Sequence, residues 1–520
     1  MKLALIIICL CGLLPNSAII NVTAAPAGKA KHVVVVVWDG LRPDSVTPQS
    51  TPTLCQLSRD GAVFQNHHPV FLSSTEVNGA ALATGAYPDH NGIIANREYR
   101  PEINWQESTA TEGIDTLRRG DALTSGHYLT VPTMAELIQR AGYPTAVAGT
   151  KPVAILQDRS NLRTSAASRQ SLMLYSGRTI PSSALKSIVQ MTGRDFPTNT
   201  LPGFRDRWTT EAITRVAWSN GVPKLSLLWL IEPDSAQHSK SPAAPTVKAA
   251  LASNDLHLSL ILKTLEEKGV RDKTDVIVVS DHGFSTVDRG VDLVDILKKA
   301  QFKATRKLED AEPGEVLVVG LGGASMLYVV NHDVAITRRL VQFLQQSNFA
   351  GVIFSRVSLP GTFSLKQARL DSRYTAPDVV VSFHWKNGTN EFGAAGLLNT
   401  DSGKKGTGAH GSLSRYDMHN VLVAAGPDFR RGFVDEWPSG TADVAPTVLW
   451  VLGLNPPATM DGRVLREALT EARPTARQPK HKTLEAAADF DAGRWQQYLK
   501  CTTLGTQVYF EEGNGEYLPR

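Results

Sequence analysis

Six short segments of this chain are apolar at nearly every position instead of at alternate ones: Val33–Trp38, Leu225–Ile231, Val276–Ser280, Met326–Val330, Val379–Phe383 and Val421–Ala424. A strand with one wet face alternates apolar and polar residues, so continuous apolarity predicts strands covered on both faces. Between these runs, Val131–Arg140, Trp208–Trp218, Val247–Glu267, Ala335–Gln345 and Asp443–Leu452 carry apolar residues at helical spacing. Buried strands alternating with amphipathic helices predict an α/β fold, a mostly parallel sheet between two helix layers. Such sheets bind ligands beyond the carboxyl ends of their strands.

Two stretches lack this rhythm. Residues 98–130 are polar, with Arg100, Trp105, Arg118, Arg119 and Tyr128, and residues 156–202 are rich in Ser, Arg and Thr. Both read as surface insertions, and about 303–405 reads as a lobe. Tyr99, Trp105 and Tyr128 offer rings that either stack on a ligand or pack locally. Residues 1–24 read as a signal peptide: Met1-Lys2, an apolar Leu3–Leu14, then small residues at Val22-Thr23-Ala24. The apolar run is shorter than the ~20 residues a membrane span needs, so the mature protein is expected to be secreted or periplasmic, without a stable span. In such a compartment Cys55 and Cys501 either form a long-loop disulfide or stay free, and the sequence leaves both open. Lys plus Arg total 54 against 50 Asp plus Glu, too even for a protein that binds nucleic-acid duplexes. Oligomeric state leaves no signal.

The chemistry-bearing residues follow the strands. Val33–Trp38 runs into Asp39-Gly40, and Leu225–Ile231 into Glu232-Pro233-Asp234 with His238 four residues on. Val276–Ser280 leads to Asp281-His282-Gly283, and His410 sits in a glycine-rich loop ahead of Val421–Ala424. A lone strand-end Asp is usually a cap or turn residue. Three Asp and three His at four such places form a ligand set for Zn²⁺ or a similar divalent ion. From Thr75 to Asn96 the chain reads as a loop, a helix closed by Thr84-Gly85, and a turn. A hydroxyl at a helix N-terminus is either a cap or part of an anion site.

With Thr84-Gly85, Tyr87-Pro88, Gly92-Ile93-Ile94-Ala95-Asn96, Ser280-Asp281-His282-Gly283 and His410-Gly411-Ser412, the chain resembles the alkaline phosphatase superfamily. Within it, the chain is similar to the type I phosphodiesterase/nucleotide pyrophosphatase group from Val33 to about Leu469. The resemblance implies an alkaline phosphatase-like three-layer sandwich over residues 30–470, with residues 471–520 as an extension packing on the same domain. It implies two divalent metal ions, expected to be Zn²⁺. Asp234, His238 and His410 would hold one; Asp39, Asp281, His282 and the Thr75 hydroxyl would hold the other. It makes Thr75 the nucleophile, through a phospho-threonine intermediate, and Asn96 a donor to a phosphate oxygen.

The chain also departs from the family pattern. Glu76 follows Thr75, where nucleotide pyrophosphatases usually carry Phe. Lys151 is a candidate phosphate contact, but Val153 stands where related monoesterases and phosphonoacetate hydrolases carry a second basic residue. A threonine cannot become formylglycine, so a sulfatase is excluded at Thr75. The expectation is an exported hydrolase of small phosphodiesters or nucleotides. The alternative is a phosphomonoesterase or phosphonate hydrolase. A non-catalytic metal-stabilised binding protein should lack a ligand or the nucleophile, and all seven are present.

Overall fold

A computed structural model describes residues 28–160, 163–198, 200–471 and 478–520. The leader expected at 1–24 therefore lies outside the described residues. Among them, nine strands form the central sheet in the order Phe433–Gly440, Ala62–His68, Leu422–Ala425, Thr274–Val279, His32–Trp38, Leu225–Leu230, Thr145–Gly149, Leu172–Tyr175, Arg178–Ile180. The five from Thr274–Val279 to Leu172–Tyr175 run parallel. Leu422–Ala425 is antiparallel to both of its neighbours.

The first strand shows why its apolarity is continuous. Val33, Val35 and Val37 enter one core, and Val34, Val36 and Trp38 enter the other. Successive side chains of a strand point to opposite faces, so helices on both sides demand apolar residues at every position. On one side lies the helix Val444–Val451, with Val444, Val448 and Leu449 buried. On the other lies the long helix Pro245–Glu267, which contributes Val247, Leu251, Leu258, Ile261 and Leu265.

Several expectations change in detail. Met326–Val330 and Val379–Phe383 are strands, spanning Ala324–Val329 and Val379–Phe383, but they pair antiparallel with each other in a second, six-stranded sheet. Both faces of that sheet are buried too. Apolar runs therefore marked burial without marking the partner strand. Leu172–Tyr175, inside the stretch read as a surface insertion, is a strand of the central sheet with Met173 and Leu174 fully buried. In the other polar stretch, Arg100 and Tyr128 are buried against each other, the guanidinium 4.2 Å from the ring centroid. Arg100 is neutralised there by Glu98 at 3.0 Å, which a linear reading of its charge does not reveal.

The C-terminal residues form a meander of Lys480–Phe490, Gly493–Leu504 and Gln507–Pro519. The amide of Gln497 bonds both backbone groups of Ile353 in the second sheet. Tyr509 donates to Asp443 at 2.9 Å beside the central sheet's helix layer. Cys55 and Cys501 are both free thiols.

Candidate metal centre

Four adjacent parallel strands end on one edge and deliver four charged residues. Asp281 follows Thr274–Val279, Asp39 follows His32–Trp38, Asp234 follows Leu225–Leu230, and Lys151 follows Thr145–Gly149. His238 lies one turn after Asp234 on the helix Asp234–Lys240. His410 arrives on the loop that feeds the antiparallel Leu422–Ala425, which starts at this edge.

The helix Thr75–Thr84 brings the hydroxyl. All ten of its residues are buried. Its small residues permit that depth: a Cβ at Gly79 would lie 2.7 Å from Val153. Gly85 ends the helix at φ +64°, a conformation that glycine adopts without strain. Ser74 occupies the N-cap position, so Thr75 is the first helical residue and its hydroxyl is not the cap.

The three histidines share one arrangement. Nδ1 of His238 meets the carbonyl of Gly408 at 3.2 Å, that of His282 meets Gly283 at 2.9 Å, and that of His410 meets Ser73 at 2.9 Å. A carbonyl only accepts, so each Nδ1 carries the hydrogen and, in the neutral ring that a metal requires, each Nε2 presents a lone pair. Those lone pairs face carboxylates. Nε2 of His238 and of His410 lie 3.2 and 3.6 Å from Asp234 Oδ1. Nε2 of His282 lies 3.6 Å from Asp39 Oδ1 and 3.4 Å from Asp281 Oδ2. Each of these three oxygens is buried without a hydrogen-bond partner among the described residues.

Acceptor facing acceptor is repulsive unless a cation lies between them. Nitrogen and oxygen ligands held tetrahedrally at about 2.0–2.2 Å stand about 3.3–3.6 Å apart, which matches these separations. Asp234, His238 and His410 form one group able to hold a metal ion, and Asp39, Asp234 and His282 form a second. Asp281 joins the second through its contact with His282.

Electrostatics favour neutral imidazoles at His282 and His410. Burial holds His410 well below the usual histidine range, reinforced by His282 and His238. Burial also lowers His282, whose ring stacks on His410 at 3.7 Å. His238 is half exposed, and Asp234 outweighs its desolvation and raises it. Burial pushes Asp39 well up, with Asp281 adding repulsion, and pushes Asp281 up to about 7. Burial opposes the charge on Asp234 as well, but Lys151 and His238 outweigh it and hold that carboxyl well down.

Lys151 reaches the centre from its outer side. Its ammonium lies 3.0 Å from Asp39 Oδ2, 2.8 Å from Asp234 Oδ2 and 3.4 Å from Thr75 Oγ1. The carboxylates thus divide their oxygens, Oδ1 toward histidines and Oδ2 toward the lysine. Thr75 Oγ1 is also 3.2 Å from His282 Nε2. Asn96 accepts from the Glu76 backbone N–H through Oδ1 at 3.1 Å, which leaves its Nδ2 hydrogens to donate elsewhere. All nine residues singled out in the sequence are therefore within this one region.

Other contributors had no linear signal. Trp229 donates to Asp39 Oδ2 at 2.8 Å from the middle of a strand that reads as plain core. Gln237 donates to the carbonyl of Gly40 at 2.8 Å and ties the Asp234 helix to the Asp39 turn. Glu76, which follows Thr75, is buried and raised well up, by desolvation first and then by Glu112.

Comparison with known proteins follows the same line. The family model for type I phosphodiesterase / nucleotide pyrophosphatase matches residues 33–393. Mouse bis(5'-adenosyl)-triphosphatase enpp4 is 23% identical over 82% of this chain and 78% of its own length. Human ectonucleotide pyrophosphatase/phosphodiesterase family member 7 is 23% identical over 84% and 83%. Among solved structures, an inactive variant of murine ectonucleotide pyrophosphatase/phosphodiesterase 5 in complex with AMP superposes with a TM-score of 0.59 at 18% identity, over 85% of this chain and all of that one. The fold is the alkaline phosphatase-like α/β sandwich. The chain belongs to the type I phosphodiesterase/nucleotide pyrophosphatase family.

Proposed function

We propose that this protein is an exported, metal-dependent phosphodiesterase of small phosphate esters or nucleotides, with Thr75 as nucleophile and Asn96 and Lys151 on the phosphoryl group. The observation that carries the reading is the set of three histidines whose Nδ1 atoms are held by carbonyls while their Nε2 atoms face partnerless carboxylate oxygens. Asp234, His238 and His410 would hold one divalent ion, and Asp39, Asp281, His282 and Thr75 the other. Zn²⁺ suits this donor set. Bound there, such ions neutralise phosphoryl charge and lower the pKa of a hydroxyl.

Thr75 Oγ1 gives its proton to solvent and attacks phosphorus, forming the Thr75 O–P bond while the bond to the leaving oxygen breaks and that oxygen takes a proton from solvent. Nδ2 of Asn96 donates to a non-bridging oxygen and turns the phosphoryl group for in-line attack. The Lys151 ammonium stabilises negative charge gathered on that group. Water then cleaves the phospho-threonine and restores the hydroxyl. The fully buried helix keeps Thr75 from drifting, so the alignment is set before substrate arrives.

Lys151 without a second basic residue favours a diester over a dianionic monoester. Val153 is fully buried and points into the core beside Gly79. Mouse enpp4 is named for acting on a bis(5'-adenosyl) triphosphate, which supports a nucleotide substrate here. Export rests on the leader sequence; among the described residues no helix is long and apolar enough to cross a membrane.

The deciding experiment compares kcat/KM for bis-p-nitrophenyl phosphate, p-nitrophenyl phosphate and a dinucleotide. The diester or dinucleotide is expected to be preferred. Preference for the monoester by more than about tenfold, ~1.4 kcal/mol of transition-state binding, would replace this reading with a phosphomonoesterase.

A further inference from the structure

A second cavity, away from the metal centre, holds about 390 Å³ between the 98–106 segment and the second sheet. That is within the size range of small-molecule sites. None of its lining residues belongs to the metal centre or is acidic. Three tyrosines, Tyr99, Tyr328 and Tyr374, supply aromatic walls. Tyr99 and Tyr328 meet edge to face with centroids 5.4 Å apart, and Tyr374 is 45% exposed.

Two guanidiniums supply the charge. Arg356 is engaged by Asp378 at 3.4 Å, and that carboxylate is also bound by His332 at 2.8 Å and by the Val329 amide at 2.7 Å. Arg373 has no acidic partner among the described residues, and its guanidinium lies 5.7 Å from the ring centroid of Tyr374. Asn331, His332 and Thr375 complete the polar lining. Thr375 is 2% exposed, and its hydroxyl has no hydrogen-bond partner among the described residues. A buried hydroxyl left without a partner costs stability, which a hydrogen bond to a ligand would relieve.

We propose that this cavity is a binding site for a planar aromatic anion, with the ring against Tyr99, Tyr328 and Tyr374, the negative group on Arg373, and the Thr375 hydroxyl as a further hydrogen-bond partner. The rings supply flat apolar area, the unmatched guanidinium selects an anion, and the absence of lining carboxylates removes repulsion. The site is independent of the hydrolytic reading. Tyr99 follows Asn96 by three residues, and Tyr328 of the cavity wall shares a core with Val77 of the Thr75 helix.

Equilibrium titration of the purified protein with benzoate, benzamide and acetate tests this. Benzoate is expected to saturate one site per chain, with benzamide and acetate each weaker by about tenfold. Arg373→Ala, an exposed position, is expected to weaken benzoate by about tenfold or more, and Thr375→Val by a few-fold. Both variants should hydrolyse bis-p-nitrophenyl phosphate as the parent does. No saturable benzoate binding, an affinity in Arg373→Ala within about twofold of the parent, benzamide binding as tightly as benzoate, or benzoate lost in His410→Ala instead of Arg373→Ala would each overturn the proposal.

Discussion

Nε2 of His238 lies 3.2 Å from Oδ1 of Asp234, one turn back on the same helix, and in the neutral ring it carries no hydrogen to bond that oxygen. His410 points its own Nε2 at the same oxygen from another loop. If a cation relieves this contact, removing one imidazole should release that cation and leave the neighbouring one in place. His410→Ala is expected to lower bound metal by about one ion per chain and kcat/KM by about 10²-fold or more. Metal analysis of dialysed protein checks it. Unchanged metal content would take His410 out of the ligand set.

Thr75 is the first residue of its helix, not the cap, so its hydroxyl does not hold the helix end, and six other candidate metal ligands stay when it is removed. Thr75→Ala is expected to cost about 10³-fold or more in kcat while metal content and melting temperature stay near the parent's. Steady-state kinetics beside metal analysis reads both. A variant that keeps kcat would remove Thr75 from the chemistry.

Lys151 binds Oδ2 of Asp39 and Oδ2 of Asp234, whereas the histidines face the two Oδ1 atoms. The lysine and a metal therefore use different edges of each carboxylate. Lys151→Met is expected to retain metal and to lose about 10–100-fold in kcat/KM, the scale of one charged contact to a phosphoryl oxygen. Partial loss of metal with unchanged turnover per remaining metal would make Lys151 a scaffold for the carboxylates only.

The strand ends were legible because burial on two faces writes itself into every residue of a strand, and the polar residue that breaks the run marks the edge. Val33–Trp38 followed by Asp39 is the plainest case. What stayed hidden was pairing. Ala324–Val329 and Val379–Phe383 are as apolar as the central strands yet lie in another sheet, because apolarity reports coverage and not neighbours. Leu172–Tyr175 was hidden by its polar flanks. Support residues such as Trp229 were hidden because their role exists only across strands: Trp229 stands beside Val37 in the register, so its indole reaches Asp39. Buried polar residues in the 98–130 stretch, Arg100 above all, look like surface until their partners are known.

Outside the catalytic region, Asp435 couples stability to pH. It sits buried on the edge strand Phe433–Gly440, accepts from the Trp437 amide at 3.0 Å, and keeps its other oxygen without a partner. Burial, then the nearby Glu467, pushes its carboxyl up to about 7 from an ordinary value of 3.8. The folded chain thus holds this proton more tightly than the unfolded chain does. The resulting stability is fully present below pH 3.8 and is lost as pH rises to about 7. Melting temperature is expected to fall between about pH 4 and about pH 7, and Asp435→Asn, which cannot ionise, to flatten that fall and raise Tm above that range by about 1–3 °C. Thermal melts of both proteins across this range check it. An unchanged slope in Asp435→Asn, or a lower Tm at about pH 8, would place the pH dependence on other groups.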